Sequence, residues 1–250
     1  TSAALGLFIV VIAFPITRLI QNRPRPLEFD ESERLSDGEQ RSTESDKPDA
    51  SNLTGGLTWQ EAVRTGDFWI MMKGQAFANG VSVAIFVHIG LMLDDIGFSL
   101  QTIGWIVSTY TGTGALFIIV GGYLGDRFPI RMLFSGFTVI QSIAILILLV
   151  SGHSAAVFVF ALFMGIGFGG RIPLQTAIRA VYFGRNSFAS IMGVAQIPIN
   201  VVTFLSPLLV GYARDITLSY NIPFLAMACV GFLGAALVAL LGPPKPYDAY

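Results

Sequence analysis

An arginine deep inside a long apolar run is the residue in this chain best placed to do chemistry. Gly165, Gly167, Gly169 and Gly170 crowd just before Arg171-Ile172-Pro173-Leu174-Gln175. Counted back from the polar turn near Phe183 at about 1.5 Å per helical residue, Arg171 lies ~18 Å deep, close to the middle of a ~30 Å hydrocarbon core. A charge at that depth costs ~3 kcal/mol or more unless it is paired or faces water. Two readings follow. Arg171, with Gln175 one turn on, binds the anionic group of a solute, or it forms a buried ion pair with a carboxylate from outside this chain. The glycines and Pro173 mark a helix that can loosen or hinge locally.

Other polar side chains fall in stripes. Gln75, Asn79 and Ser82 stand at i, i+4 and i+7, one face of a helix, and Gln196, Asn200 and Thr203 repeat the spacing. Trp105, Thr109 and Thr113 do so less sharply, while Ser142 to Val150 and Phe224 to Leu241 carry almost nothing polar. Each stripe either borders an aqueous passage or forms hydrogen bonds between helices, worth ~1 kcal/mol per contact. Lys73, on the face opposite Gln75, is placed to snorkel to a membrane surface. His88 is either an ordinary interfacial histidine or a proton carrier near neutral pH. No Asp or Glu lies in the middle of any apolar run. A second group of charges, Asp126, Arg127 and Arg131, sits in the short turn Gly122-Tyr123-Leu124-Gly125-Asp126-Arg127-Phe128-Pro129-Ile130-Arg131. These could simply fix topology at a cytoplasmic turn. The glycines before them let two helix backbones come close.

The elements that must position these groups are membrane spans. The chain is 53% hydrophobic and only 12% charged, against roughly 25% charged in an average soluble domain. The charges are also segregated from the apolar runs. Those runs are Ser2–Leu19, Phe68–Leu93, Ile103–Gly125, Met132–Val150, Ala155–Tyr182, Phe188–Ala213 and Asn221–Leu241. Each is near the ~20 residues a helix needs to cross a bilayer, and none shows the ~10-residue alternation of a barrel strand. The fold class is therefore all-α membrane protein, with the lipid bilayer as an obligatory partner. Asn22 to Gly56, rich in Glu, Asp, Ser, Arg and Pro, reads as a disordered linker. Thr58 and Glu61 have the spacing of a capping box, so a short interfacial helix led by Trp59, or else a plain turn, follows it.

Orientation follows from the positive-inside rule. With the linker cytoplasmic, the inner connections and tail hold Arg18, Arg23, Arg25, Arg34, Arg41, Lys47, Arg64, Arg127, Arg131, Arg179, Arg185 and Lys245. The outer ones hold only Arg214, beside Asp94, Asp95 and Asp215. The net charge of -1 argues neither for nor against a nucleic-acid partner, and no basic aromatic patch supports one, so none is expected. Cys229 is the one cysteine, which excludes an internal disulfide or a cysteine metal site. No phosphate-binding G-x-x-x-x-G-K-[ST] loop is present. Neither a metal nor a cofactor is expected. The chain begins on Thr1 at an apolar run, and the expectation is a piece of a longer protein.

The order Gly122-x-Leu124-x-Asp126-Arg127-x-x-x-Arg131 resembles the signature loop of the major facilitator superfamily, with Pro129 where that family usually has glycine. The resemblance implies a secondary transporter of a small solute, proton or ion coupled or neither, with a mobile latch formed by Gly122, Asp126, Arg127 and Arg131. The layout is similar to the C-terminal six-helix half of such a transporter plus the preceding helix, seven transmembrane helices in all. It implies residues 1–20 as the sixth helix, 21–66 as a cytoplasmic linker, 67–242 as helices seven to twelve, and 243–250 as a cytoplasmic tail in a multi-pass cell-membrane protein. The N-terminal half of the same protein is the implied partner. Arg171, Gln175, Gln75, Asn79, Gln196 and Asn200 are then the implied substrate-binding residues, and a carboxylate or other organic anion is the implied solute, moved by symport or antiport. Asp67-Phe68-Trp69, Tyr182-Phe183-Gly184-Arg185, Gly211-Tyr212-Ala213-Arg214-Asp215, Ser219-Tyr220 and Pro223-Phe224 resemble the oxalate/formate antiporter-like and monocarboxylate transporter-like branch. The third run lacks the arginine those carriers keep in their eighth helix.

Two other classes compete. A seven-span receptor would also give seven runs, with Asp126-Arg127-Phe128 at the inner end of the third. Its first inner loop would not be the long one, and the last run lacks an Asn-Pro-x-x-Tyr pattern. An intramembrane enzyme would need a Ser/His pair, paired intramembrane Asp residues or a His-x-x-x-His cluster, and the sequence has none. A transporter fragment without activity of its own is the remaining alternative.

Overall fold

The computed structural model describes residues 56–150, 154–184 and 187–243. The span expected over residues 1–20, the linker as far as residue 55, Arg185 and the tail from residue 244 lie outside the described residues. Among the described residues seven helices are formed: α1 (Trp59–Arg64), α2 (Gly66–Asp95), α3 (Leu100–Gly125), α4 (Ile130–Val150), α5 (Ser154–Phe183), α6 (Phe188–Thr217) and α7 (Asn221–Ala239). The last six are long and apolar enough to cross a membrane. Among the described residues there is no strand, only an isolated bridge between Gly56 and Gly184.

Local chemistry sets the helix ends. Thr58 caps α1 through a complete capping box: its backbone N–H donates to Glu61 at 2.8 Å, and its hydroxyl accepts from the Glu61 N–H at 3.4 Å. Thr65 and Ser99 cap α2 and α3 in the same way, accepting from the N–H groups of Phe68 and Thr102. Gly97 (φ 88°) and Gly184 (φ 79°) end α2 and α5 in the left-handed region that glycine adopts freely. Pro129 opens α4, its carbonyl accepting from Met132 and Leu133 at 3.0 and 3.2 Å. Proline suits a first helical turn because no N–H is needed there. The Thr58 bonds hold the Glu61 carboxyl below the ordinary carboxylate range. A lowered folded-state value means the support is present above the ordinary carboxylate range and is lost as pH falls through the lowered value. Thr58→Ala is expected to cost about 1 kcal/mol of local helix stability, read as faster amide exchange over Trp59–Arg64 with α2 unaffected.

The packing obeys an exchange of two halves. The dominant helix pairs are α3 with α5, α4 with α5, α2 with α6, α4 with α7, and α2 with α7. Swapping α2, α3, α4 for α5, α6, α7 turns that set into itself. Because two spans lie between the members of each swapped pair, an odd number of reversals, the two triplets run in opposite directions, an inverted repeat. Two apolar cores result. One gathers Ile85, Ile106, Ile145, Phe160 and Phe224 toward the Asp95 end, the other Met71, Phe134, Ile178, Ile199 and Val238 toward the Asp126 end.

The crowded glycines of α5 serve packing. Gly165 and Gly169 lie against the backbone of Tyr110 and Gly114 on α3, and Gly167 and Gly170 lie against Phe137 and Gln141 on α4. Helix α5 is continuous through these glycines, with Pro173 inside it. On α3 the close approach is made by Gly121 onto Gly170, while Gly122 meets nothing within 4 Å.

Candidate functional site

Between the two cores lies a polar layer at the midpoints of the helices. Asn79 and Ser82 come from α2, Thr138, Gln141 and Ser142 from α4, Arg171 from α5, and Thr203 and Ser206 from α6. Arg171 is fully buried (0% exposed) and ties three helices together. Its Nε–H donates to Gln141 Oε1 at 3.2 Å, Nη1 to Asn79 Oδ1 at 2.9 Å, and Nη2 to the Ala78 carbonyl at 2.9 Å and to the Ser82 hydroxyl. Ser82 uses its whole capacity, accepting also from Gln141 Nε2 at 2.7 Å and donating to Ala78 O at 3.0 Å. Among the described residues every acceptor of Arg171 is neutral. The salt bridges among the described residues, Arg214 with Asp95 at 3.1 Å and with Asp215 at 3.8 Å, lie at the far end. Four charge-assisted hydrogen bonds, worth roughly 1.5–3 kcal/mol each, hold the guanidinium in place but leave its charge uncompensated.

A second buried arginine sits nearer the Asp126 end. Arg179 (1% exposed) donates Nε–H and Nη2–H to the same oxygen, Gln75 Oε1, at 3.0 and 2.6 Å. Among the described residues its Nη1 reaches only the Met192 sulfur, at 3.1 Å. Gln75 Nε2 donates to the Gln175 carbonyl at 3.3 Å. By sequence alone Arg179 reads as an inner turn charge and Gln141 has no assigned role. The signal for Gln141 was the spacing of Ser135, Thr138 and Ser142 around it, a polar stripe on an otherwise apolar α4.

A cleft of about 390 Å³ opens between α2, α3 and α5, lined by Ser82, Phe86, Tyr110, Thr111, Ile118 and Phe168 among others. Its walls are apolar apart from a few hydroxyls. Phe168 carries the Arg171 guanidinium 5.6 Å from its ring centroid, and Ser82 bonds the same group. The charge therefore stands one side chain behind the cleft wall.

The structure joins Asn79 to Arg171, and Gln75 to Arg179 and the Gln175 backbone, in two networks. Gln196 and Asn200 form a separate pair on α6, with Nε2 donating to Oδ1 at 2.8 Å, Asn200 exposed and Gln196 half-buried. Thr109 spends its hydroxyl on the Trp105 carbonyl at 2.8 Å. Lys73 is exposed. His88 is buried, donating Nε2–H to the Pro207 carbonyl at 3.0 Å.

At the Asp126 turn, Arg131 donates to the Leu241 carbonyl beyond α7, and Tyr182 donates to Gly242 O at 2.6 Å. A guanidinium at a helix C-terminus meets the negative end of its dipole. Asp126 and Arg127 are exposed, with Arg127 stacked 4.3 Å over the Tyr123 ring. Phe68 packs edge-on to Phe183, centroids 5.7 Å apart, which joins two of the short motifs read from the sequence.

Comparison with known proteins agrees with this architecture. The model of the Major Facilitator Superfamily matches residues 74–249. A protein described as an MFS efflux transporter, inpD, from Emericella nidulans is 28% identical over 127 residues, covering 51% of this chain and 25% of that protein. A Multidrug resistance protein B homolog from Mycobacterium tuberculosis is 26% identical over 149 residues, covering 60% of this chain and 27% of that protein. The chain thus spans about a quarter of the length of these curated relatives.

Proposed function

The chain belongs to the major facilitator superfamily, and on that premise we propose that it is part of a secondary active transporter moving a small organic anion, such as a carboxylate, by alternating access. The observation that carries this reading is Arg171, a fully buried charge with only neutral acceptors, directly behind an aromatic cleft. Across 6–8 Å at an effective dielectric of about 20, one positive charge attracts an anion by roughly 2–3 kcal/mol. The apolar walls accept a hydrocarbon or aryl body. Asn79 positions Arg171, while Gln75, Gln175, Gln196 and Asn200 extend the polar path. In this reading the two triplets rock against the N-terminal half of the same protein, which covers the sparsely buried faces of α3 and α6. The Asp126 end is cytoplasmic, and Gly122, Asp126, Arg127 and Arg131 work the latch there. The resemblance of the short motifs to the oxalate/formate antiporter-like and monocarboxylate transporter-like branch supports a carboxylate as the solute, and any coupling ion is bound outside this half or at His88.

A second reading has its own support. The cleft is almost wholly apolar, and the relatives are described as efflux and multidrug resistance proteins, which suits export of uncharged apolar compounds. Benzoate and benzamide, alike in shape and different in charge, separate the two. With the intact protein in proteoliposomes, saturable benzoate uptake is expected, with benzamide competing at least ten-fold more weakly. Equal competition would remove the anion reading in favour of apolar export.

A further inference from the structure

Arg179 has no part in the proposed site above, yet its surroundings are those of an anion site with a substitute in place. An arginine presents two parallel N–H groups along its Nε/Nη2 edge, a fork that matches the two oxygens of a carboxylate. Here both donors converge on the single oxygen of Gln75, at 3.0 and 2.6 Å. The other nitrogen has only a thioether, a weak acceptor. Among the described residues no carboxylate pairs with it, and the residue is 1% exposed. A desolvated charge in that state gains more from an anion than from a neutral amide. The amide is also lightly held on its far side, by one long bond to the Gln175 carbonyl at 3.3 Å.

We infer that the Nε/Nη2 edge of Arg179 is a second station for the substrate's carboxylate, occupied by the Gln75 oxygen until the anion arrives. This rests on the organic-anion reading. Arg179 lies eight residues beyond Arg171 on α5, about 12 Å toward the Asp126 end. An anion moving between the cleft and that end passes from one guanidinium to the other without being stranded in the apolar core. The exchange also has a mechanical side. Helices α2 and α5 begin the two inverted triplets and are not among the closely packed pairs. Side chains such as Gln75 and Arg179 join them, so an anion that takes the place of Gln75 releases one of those ties. Full burial away from lipid favours a solute over a phospholipid headgroup as the anion.

The test uses the intact protein, oriented uniformly in proteoliposomes, with benzoate supplied from either side. Arg179→Gln is expected to raise KM at least ten-fold from the Asp126 side and less than two-fold from the other. Gln75→Ala, which frees the edge, is expected to lower KM from the Asp126 side about three-fold, a gain that a structural strut would not give. Equal effects of Arg179→Gln on both sides, or a raised KM in Gln75→Ala, would overturn the second station. If Arg179→Gln fails to fold, Gln75→Ala decides alone. A side-dependence that disappears in liposomes without anionic lipid would assign the edge to a headgroup and equally overturn it. Wild-type protein with no saturable benzoate flux removes the organic-anion reading itself, whereas saturable flux with symmetric variants removes only the station.

Discussion

Replacing Gly169 with leucine is expected to leave no folded, monodisperse protein. A β-carbon at this position would stand 2.7 Å from the Gly114 carbonyl carbon and 2.8 Å from its α-carbon. Those are backbone atoms of the helix that forms the most extensive pair in the bundle, α3 with α5. A flexible side chain could swing aside, but a helix backbone cannot. Relief would require the two helices to separate by an ångström or more over several turns. Gly165 sits on the same face one turn away, where a β-carbon would meet the Tyr110 carbonyl at 2.5 Å and the Gly114 nitrogen at 3.0 Å. Within a membrane, apolar burial gives little drive between spans, so close packing of this kind carries much of the association. Overpacking by one methyl commonly costs 1–3 kcal/mol. Gly169→Ala should therefore cost roughly 2 kcal/mol, and the three further carbons of leucine exceed what a marginally stable bundle can absorb. Gly136 is the contrast. It lies in the same type of helix with nothing within 4 Å of a β-carbon, so Gly136→Ala should be neutral or gain up to about 1 kcal/mol in helix propensity. Size-exclusion profiles and thermal unfolding of the three variants in detergent measure this. A Gly169→Leu protein with the native melting temperature would show that α3 and α5 do not meet as described.

The same glycines show what a sequence does and does not reveal. Hydropathy gave the six described spans to within a few residues, because a length of about 20 apolar residues is fixed by the bilayer rather than by the fold. The capping box at Thr58 was equally legible, since it depends on neighbours in sequence. Partners across helices were not. The glycines of α5 mark a helix that can hinge, but their packing role depends on what lies opposite, and the backbones of α3 and α4 lie there. Gly121 and Gly122 are indistinguishable in the sequence, yet only the first faces a neighbouring helix. Gln141 was hidden inside a run judged by its average polarity, and Arg179 was counted by its nearness to a turn. Depth along one helix placed Arg171 at the midplane, but its acceptors come from two other helices that only the assembled bundle brings to it.

Arg171 itself yields the most decisive change in transport. Arg171→Gln removes a charge whose acceptors, Gln141 Oε1 and Asn79 Oδ1, would lose their donor. An orphaned buried acceptor costs about 1–3 kcal/mol. Removing an uncompensated charge returns several kcal/mol of desolvation, so the fold should survive with a modest change in stability. Transport should not. If Arg171 supplies about 2–3 kcal/mol of attraction through the cleft wall, benzoate KM rises roughly 30- to 150-fold, while any flux of neutral benzamide stays within two-fold. Arg171→Lys then separates field from contact. A lysine keeps the charge but offers three donors from one point, and it cannot span Gln141, Asn79 and Ala78 as the planar guanidinium does. If the charge acts at a distance through Phe168, the lysine variant should retain benzoate KM within about five-fold of wild type. If the guanidinium turns out of its network to grip the carboxylate directly, lysine should fail nearly as badly as glutamine. Equal benzoate affinity in wild type and Arg171→Gln, with both proteins folded, would show that this buried arginine serves only to knit α2, α4 and α5 together.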